Sequence, residues 1–390
     1  MSTSNTPESQ SPMGLRDDRA AARLDRRRRT KDRLANGMIA GGGIFVLVAI
    51  LAIFVYLLSE SWPLFAPSSV NKKQSFQATS VQANASFVEL DEFNVAGMRL
   101  MPNGQIQYFN VQSGQPTGGV SLALPEGTTV VRVQRGPILE GLVGVGLSNG
   151  QLIVFKPVFS AQGIGQARTV ESSIEFPFGQ TPLVVSDFAQ PLTQFSIRSD
   201  DAGLQVLAVA DGQLKWERFT KVTNTDGAMG LESPAGGLSL DAALGDSSSN
   251  AADVYTRQDV QVLAADGRTV TALHIGQGGS WLYAITREGM VQVFNRDEQG
   301  MRLYDQQRVD QHGSITASAM LQGDISLLLG DAAGQVSQWF LVRDKTPEQR
   351  MTLTKIRSFD VGSSPITVIQ PEARRKGFMA GDQDGNVGYF

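Results

Sequence analysis

The 390-residue chain contains no cysteine and only two histidines. Without thiols it has no disulfide framework, no cysteine-bearing zinc site and no cysteine nucleophile. His274 and His312 stand about one repeat apart with no third ligand near them. That spacing suits ordinary sheet or turn positions better than a metal site. The chain has no G-x-x-x-x-G-K-[ST] loop to cradle ATP phosphates, and its G-x-S-x-G match, Gly146-Leu147-Ser148-Asn149-Gly150, sits in a β-repeat with no following helix to make a nucleophile elbow. The glycines of GLVGVGLSNG (141–150) imitate a dinucleotide loop, but no helix follows to receive a pyrophosphate. No catalytic residue, cofactor or metal is expected. Charged residues are sparse at 18%, while apolar residues reach 41%, which excludes a fully disordered chain.

Charge is unevenly spread. Residues 1–36 hold nine Lys/Arg and five Asp/Glu, a net of +4. The overall net charge is −4, so the rest of the chain is distinctly acidic, and nucleic acid is not an expected partner. Between these regions lies GMIAGGGIFVLVAILAIFVYLL (37–58), an uncharged run. As a helix it would measure about 33 Å, enough for a ~30 Å hydrocarbon layer. The cluster Arg26, Arg27, Arg28, Arg29, Lys31 and Arg33 precedes it, and Glu60 is the nearest charge after it. Positive charge stays cytoplasmic, which places the N-terminus inside and residues 59–390 outside. Tyr56 and Trp62 fall where an interfacial aromatic belt belongs. A cleavable signal peptide competes with this reading. Its polar leader would be over 30 residues long and its apolar run too long, so an uncleaved anchor fits better. A buried soluble helix seldom runs this far without a polar face. Gly37-x-x-x-Gly41 marks a face that another helix can approach closely, a spacing that glycine's frequency in membrane helices also produces by chance. Residues 1–25 read as a disordered tail entering a charged helix over 16–33.

The remainder reads as strands. A unit of two apolar strands, a glycine turn and a third strand recurs at 130–155, 269–294, 314–340 and 365–390. An aromatic follows each turn glycine by five residues: Gly150 and Phe155, Gly289 and Phe294, Gly334 and Trp339, Gly385 and Phe390. Looser copies occur at Gly104 with Tyr108 and Phe109, and at Gly212 with Trp216. Glycine supplies positive φ at a tight hairpin, and the aromatic covers the apolar face between neighbouring sheets. The turn glycines are 46, 62, 77, 45 and 51 residues apart, and the longest gap contains a low-complexity loop over 222–250. These are propeller periods. The expected fold is mainly β: one transmembrane helix, then a WD-repeat-like β-propeller of six to seven blades. Its expected domains are a basic tail (1–36), a span (37–58), a linker (59–77) and a propeller (78–390). Paired β-sandwiches would not repeat the glycine-to-aromatic offset. The chain reaches Phe390 on a third strand, so either an N-terminal strand over 75–90 closes the ring or the sequence is cut from a longer protein. Asp331, Asp382 and Asp384 beside turns are candidates for calcium, although aspartate at hairpins commonly bonds its own backbone. The basic triplet Arg374-Arg375-Lys376 is a loop feature, solvated or touching anionic groups.

The segment Arg26 to Phe65 resembles the start of the phosphate ABC-transporter permease family, through Lys31-Asp32-Arg33 before the span and Ser61-Trp62-Pro63-Leu64-Phe65 after it. A large proteobacterial form of this permease is similar across the whole chain. The resemblance implies the front portion of an ATP-driven phosphate importer, with the propeller as a periplasmic docking or regulatory module. Its implied partners are the remaining permease helices or another permease subunit, a separate ATPase subunit, a periplasmic phosphate-binding protein and membrane lipid. The family's phosphate-lining residues map onto no position here. The alternative is a single-span periplasmic scaffold or sensor without a transport role. A propeller enzyme would require acids or histidines clustered at the channel mouth.

The charge asymmetry across the span generates a direct test. A reporter fused near residue 300 should be active only in its extracytoplasmic form, and cytosolic activity would overturn the orientation.

Overall fold

In the computed structural model, the basic stretch and the apolar run form one uninterrupted helix, α1 (Gly14–Ser61, 48 residues). The structure describes residues 14–62, 65, 85–163, 168–222, 254–266, 269–297, 300–309, 313–345 and 350–390. The charged helix expected over 16–33 and the span expected over 37–58 are parts of this one helix. Leu34-Ala35-Asn36 contains no proline to stop the helix. The helix also begins at Gly14, inside the stretch expected to be a disordered tail. Its Arg28–Ser61 part is long and apolar enough to cross a membrane, with a mean hydropathy of 2.8 in its most apolar window. Its apolar side chains are exposed, as are Arg26, Arg28, Arg29, Lys31, Arg33, Tyr56 and Trp62. The space beside Gly37 and Gly41 is open. The Arg27 side chain, Pro63 and Leu64 lie outside the described residues, as do 66–77 of the expected linker, 78–84 of the expected propeller and 223–250 of the expected loop. The chain divides into two compact units, residues 1–71 and 72–390.

The second unit is built of antiparallel sheets, each taking its strands in sequence order. The first holds β1 (Phe87–Leu90), β2 (Ala96–Leu100), β3 (Gln105–Asn110) and β4 (Pro116–Ser121). The second holds β5 (Val130–Arg135), β6 (Val143–Leu147), β7 (Gln151–Gln162) and β8 (Thr169–Glu175), with β9 (Leu183–Val184) also paired to β7. The third holds β10 (Phe195–Asp200), β11 (Gly203–Ala210), β12 (Gln213–Lys221) and β13 (Tyr255–Asp266). The fourth holds β14 (Val270–Ile275), β15 (Trp281–Thr286), β16 (Met290–Asp297) and β17 (Gly300–Arg308). The fifth holds β18 (Ile315–Met320), β19 (Leu327–Asp331), β20 (Gln335–Arg343) and β21 (Met351–Asp360). The sixth holds β22 (Ile366–Pro371), β23 (Phe378–Asp382) and β24 (Val387–Tyr389).

Among the described residues, the first strand of every sheet faces a shared central channel, so these sheets are six blades of a β-propeller, at the lower end of the expected six to seven. The strand expected over 75–90 to close the last blade does something else where it is described. Phe87–Leu90 becomes the innermost strand of the first blade, paired with β2. An ion pair from Arg374 in the β22–β23 loop to Glu92 in the β1–β2 loop joins the sixth blade to the first.

One alternation explains the packing between blades. Side chains on a strand point to opposite faces in turn. Five residues past the turn glycine, the side chain packs against the preceding blade. Phe155 joins Met98, Leu100 and Ile106 of the first blade, and Phe294 joins Leu207 and Leu214 of the third. Trp339 joins Ile285 and Val291 of the fourth, and Phe390 packs onto Ala319 and Leu328 of the fifth. Four residues past the glycine, the side chain faces the following blade: Tyr108 packs on the second-blade cluster and Trp216 on Leu273 and Leu282 of the fourth. The third blade therefore places its aromatic, Trp216, on the other seam, while the first carries Tyr108 there and Phe109 at the five-residue position. The turn glycine is obligatory at Gly334, where φ is +87° and an added Cβ would lie 2.5 Å from the Gly362 carbonyl oxygen.

Two substitutions test this packing through denaturation midpoints of the full chain in detergent. Phe294→Ala should cost about 3–5 kcal/mol and Gly334→Ala about 1–3 kcal/mol. Val387→Ala, at an exposed position, should stay within about 0.5 kcal/mol. Equal losses for Phe294→Ala and Val387→Ala would refute the seam assignment.

Candidate functional site: the central channel and one polar seam

Inner strands β5, β14, β18 and β22 each open with a register shift, between Val130 and Arg132, Val270 and Ala272, Ile315 and Ala317, and Ile366 and Val368. A bulge of this kind re-aims the residues that follow it. In three blades a threonine occupies the extra position. Thr271, Thr316 and Thr367 donate their hydroxyls to the carbonyls of Ile285, Gly330 and Gly381 at 3.2, 3.3 and 3.2 Å. The channel thus has a turn end, at the second-to-third strand hairpins, and a loop end, at the first-to-second strand loops.

Toward the turn end lies a cavity of about 290 Å³, lined in part by Arg132, Gln134, Gln194, His274 and Ser318. His274 Nε2 and Ser318 Oγ are hydrogen-bonded at 2.9 Å. Burial, reinforced by the neighbouring Arg132 charge, lowers the His274 pKa to about 4, so the imidazole is neutral at physiological pH. Toward the loop end lies a second cavity of about 300 Å³. Here Arg198 Nη1 donates to the Gly276 carbonyl at 2.9 Å and meets Asp324 Oδ2 at 3.0 Å, while its Nε lies 3.7 Å from Glu140. Glu140 also accepts from the Ser199 amide and hydroxyl, at 2.7 and 2.8 Å. One guanidinium in the third blade therefore ties the second, fourth and fifth. Arg135 pairs with Glu89 across the first two blades. Burial pushes the Glu89, Glu140 and Asp324 carboxyls up despite these partners.

A second polar group lies between the second and third blades. Five residues past the Gly212 turn stands Glu217, where the five other blades carry an aromatic named above. Its side chain is 0% exposed. Glu217 Oε1 lies 3.3 Å from Arg257 Nη1, and its other oxygen has no hydrogen-bond partner. Arg257 continues to Asp187 at 2.5 Å, and Lys215 bridges Asp187 and Asp211 at 3.4 and 2.7 Å. Burial raises the Glu217 pKa to about 7, against the opposing charges of Arg257 and Lys215. Burial alone would raise Asp211 too, but hydrogen bonds from Lys215, Ser186 and the Asp187 amide hold it at about 2.

The residues singled out from the sequence fall mainly outside these clusters. Gly150, Gly289, Gly334 and Gly385 all have positive φ at hairpin turns, and their aromatics serve the seams. The structure brings none of them to the channel lining. His274 is a channel residue, and His312 lies outside the described residues. Asp331 and Asp382 are engaged by their own turns. Asp331 Oδ1 accepts from the Ala333 and Gln335 amides, and Asp382 Oδ1 from the Asn386 amide at 2.8 Å. Asp384 contributes its amide to Ser364 Oγ. Among the described residues, no group of three or more His, Asp or Glu could hold a metal ion. Arg374 and Arg375 are more than a solvated pair, since they meet Glu92 and Glu372. The sequence reading missed Arg132, Arg198, Glu140, Asp324 and Glu217. Two carried a visible signal. Arg132 interrupts the apolar VVRV at an inner-strand position, and Glu217 breaks the glycine-to-aromatic offset.

No family model and no curated protein matches this chain. Similar solved structures include a chain of the "Crystal Structure of Mitotic Checkpoint Complex", with 14% identity, TM-score 0.42, and coverage of 83% of this chain and 84% of that one. The "Myceliophteria_thermophila Cps50 (Swd1) beta-propeller domain" shows 8% identity and TM-score 0.41, covering 78% and 96%. "Structure of U3-55K" shows 13% identity and TM-score 0.44, covering 80% and 78%. At these values the likeness speaks to chain path alone, and the propeller is established by its own six sheets.

Glu217 sets a pH dependence of fixed sign. Its folded pKa of about 7 exceeds the ordinary 4.5, so the folded state retains a proton that the unfolded chain releases in that interval. The stability that Glu217 contributes is then greatest below pH 4.5 and falls by on the order of 3 kcal/mol as pH rises to 7. Glu217→Gln removes the titration. Its melting temperature relative to wild type should climb between pH 4.5 and pH 8, and a pH-independent difference would sink the assignment.

Proposed function

We propose that this chain is a membrane-anchored, extracytoplasmic β-propeller that docks a protein partner on its loop end and performs no catalysis itself. The carrying observation is a pair of exposed apolar side chains at the loop-end channel mouth. Leu139 is 75% exposed beside Glu140, and Ile325 is 49% exposed beside Asp324. Both neighbours are held by Arg198, so the apolar tips stand on a fixed polar base. Apolar anchors rimmed by ordered polar groups suit a protein interface. The helix α1 supplies the anchor, and its basic N-terminal side supports an inside N-terminus.

A second reading is favoured by the residues flanking the span. Lys31-Asp32-Arg33 and Ser61-Trp62-Pro63-Leu64-Phe65 support the front portion of a phosphate ABC permease. In that reading the partner is the periplasmic phosphate-binding protein, other permease helices pack on the Gly37 and Gly41 face, and a separate ATPase drives transport.

Photo-crosslinking in native membranes tests both. A crosslinker at position 139 should form a discrete protein adduct, and one at Glu288, on the opposite end, should form none. Adducts from neither position would overturn the docking reading. A crosslinker at position 41 captures transporter helices if the permease reading holds, and lipid alone if the anchor is solitary.

A further inference from the structure

The turn-end half of the channel is a cavity whose polar groups are left over from folding. Among the described residues, the side chains of Arg132, Gln134 and Gln194 make no hydrogen bond and no ion pair. Yet all three line the same space of about 290 Å³. No Asp or Glu lines it, in contrast to the loop end, where arginines meet carboxylates. The three threonine hydroxyls spend their protons on backbone carbonyls. The free side-chain donors are therefore one planar guanidinium, two primary amides and the one proton that the His274–Ser318 pair does not share, and the cavity carries one uncompensated positive charge. His274, held neutral by burial, adds none.

The walls are not uniformly polar. Val368 reaches the cavity while about half exposed, and Ala272 and Ala317 sit beside it. A single cation balances a single negative charge. A guanidinium flanked by amides matches a planar carboxylate, which accepts two parallel N–H bonds. Apolar stretches of wall favour an organic body over a fully hydrated inorganic ion. We propose that the turn-end half of the propeller channel is a binding site for a small monoanionic carboxylate, with Arg132 as the charge anchor and Gln134 and Gln194 as orienting donors. The site lies at the opposite end of the channel from Leu139 and Ile325, so it is separable from partner docking.

Calorimetric titration of the full chain in detergent tests this with acetate and benzoate as probes, and with sulfate and inorganic phosphate as competitors of different shape. Wild type should bind at least one carboxylate saturably. Arg132→Gln should weaken it about tenfold or more, because a charge-assisted pair is lost. Arg132→Lys should recover part of the affinity, since charge returns without the fork. A Gln134→Leu, Gln194→Leu double variant should lose affinity with Arg132 intact, which keeps the test decisive if Arg132→Gln misfolds. Leu139→Asp, a docking-face variant, should leave carboxylate affinity unchanged. Absence of saturable carboxylate binding, equal binding by Arg132→Gln with an unchanged melting temperature, or tighter binding of sulfate or phosphate than of either carboxylate would overturn the site.

Discussion

Each sheet of this propeller has two apolar faces, and a sheet of three or four strands can hide neither without neighbours. The fold depends on meeting that constraint six times around a ring. Alternation along the third strand meets it with adjacent residues, one side chain serving the seam behind and the next the seam ahead. Phe155, Phe294 and Trp339 look back, while Tyr108 and Trp216 look forward. The hairpin turn sets the register of that strand, so the turn glycine decides which seam each aromatic fills. Local turn geometry and long-range packing are thereby coupled in every blade.

Buried charge is treated in two opposite ways in the same ring. At the loop end, Arg198 gathers a carbonyl and two carboxylates from three other blades, and every charge near it has a partner. Such a hub gives the mouth of the channel a defined shape, because moving one blade would strand a charge in a poorly solvated place. At the seam between the second and third blades, Glu217 occupies a position that other blades give to aromatics. It has one arginine contact and one orphaned oxygen. Desolvation outweighs the nearby cations there, so the carboxyl keeps its proton to nearly neutral pH.

A rigid ring with a fixed polar mouth and apolar tips suits docking, and a helix of exposed apolar residues suits a lipid anchor. The two ends of the channel differ in chemistry. The loop end is charge-compensated and carries Leu139 and Ile325, whereas the turn end is free of acids and keeps an unpartnered cation. The proposed docking face and the proposed carboxylate site both rest on that division.

The sequence by itself determined the helix, the repeat and the hairpins, because these rest on local chemistry. An uncharged run, glycines at positive φ and aromatics at a constant offset act within a few residues of themselves. Only the tertiary structure decided the blade count, the innermost place of Phe87–Leu90 and the continuity of α1 through Arg33 and Gly37. It alone also brought Arg132 to face Gln194, and Arg198 to face Asp324 across more than one hundred residues. Those pairings arise when strands from different blades converge on one axis, and no spacing along the chain encodes convergence. Asp331 and Asp382, where calcium stood as the lesser alternative to local backbone bonding, show the same limit. From sequence an aspartate beside a turn shows only its charge, and the amides that satisfy it become visible once the turn has closed.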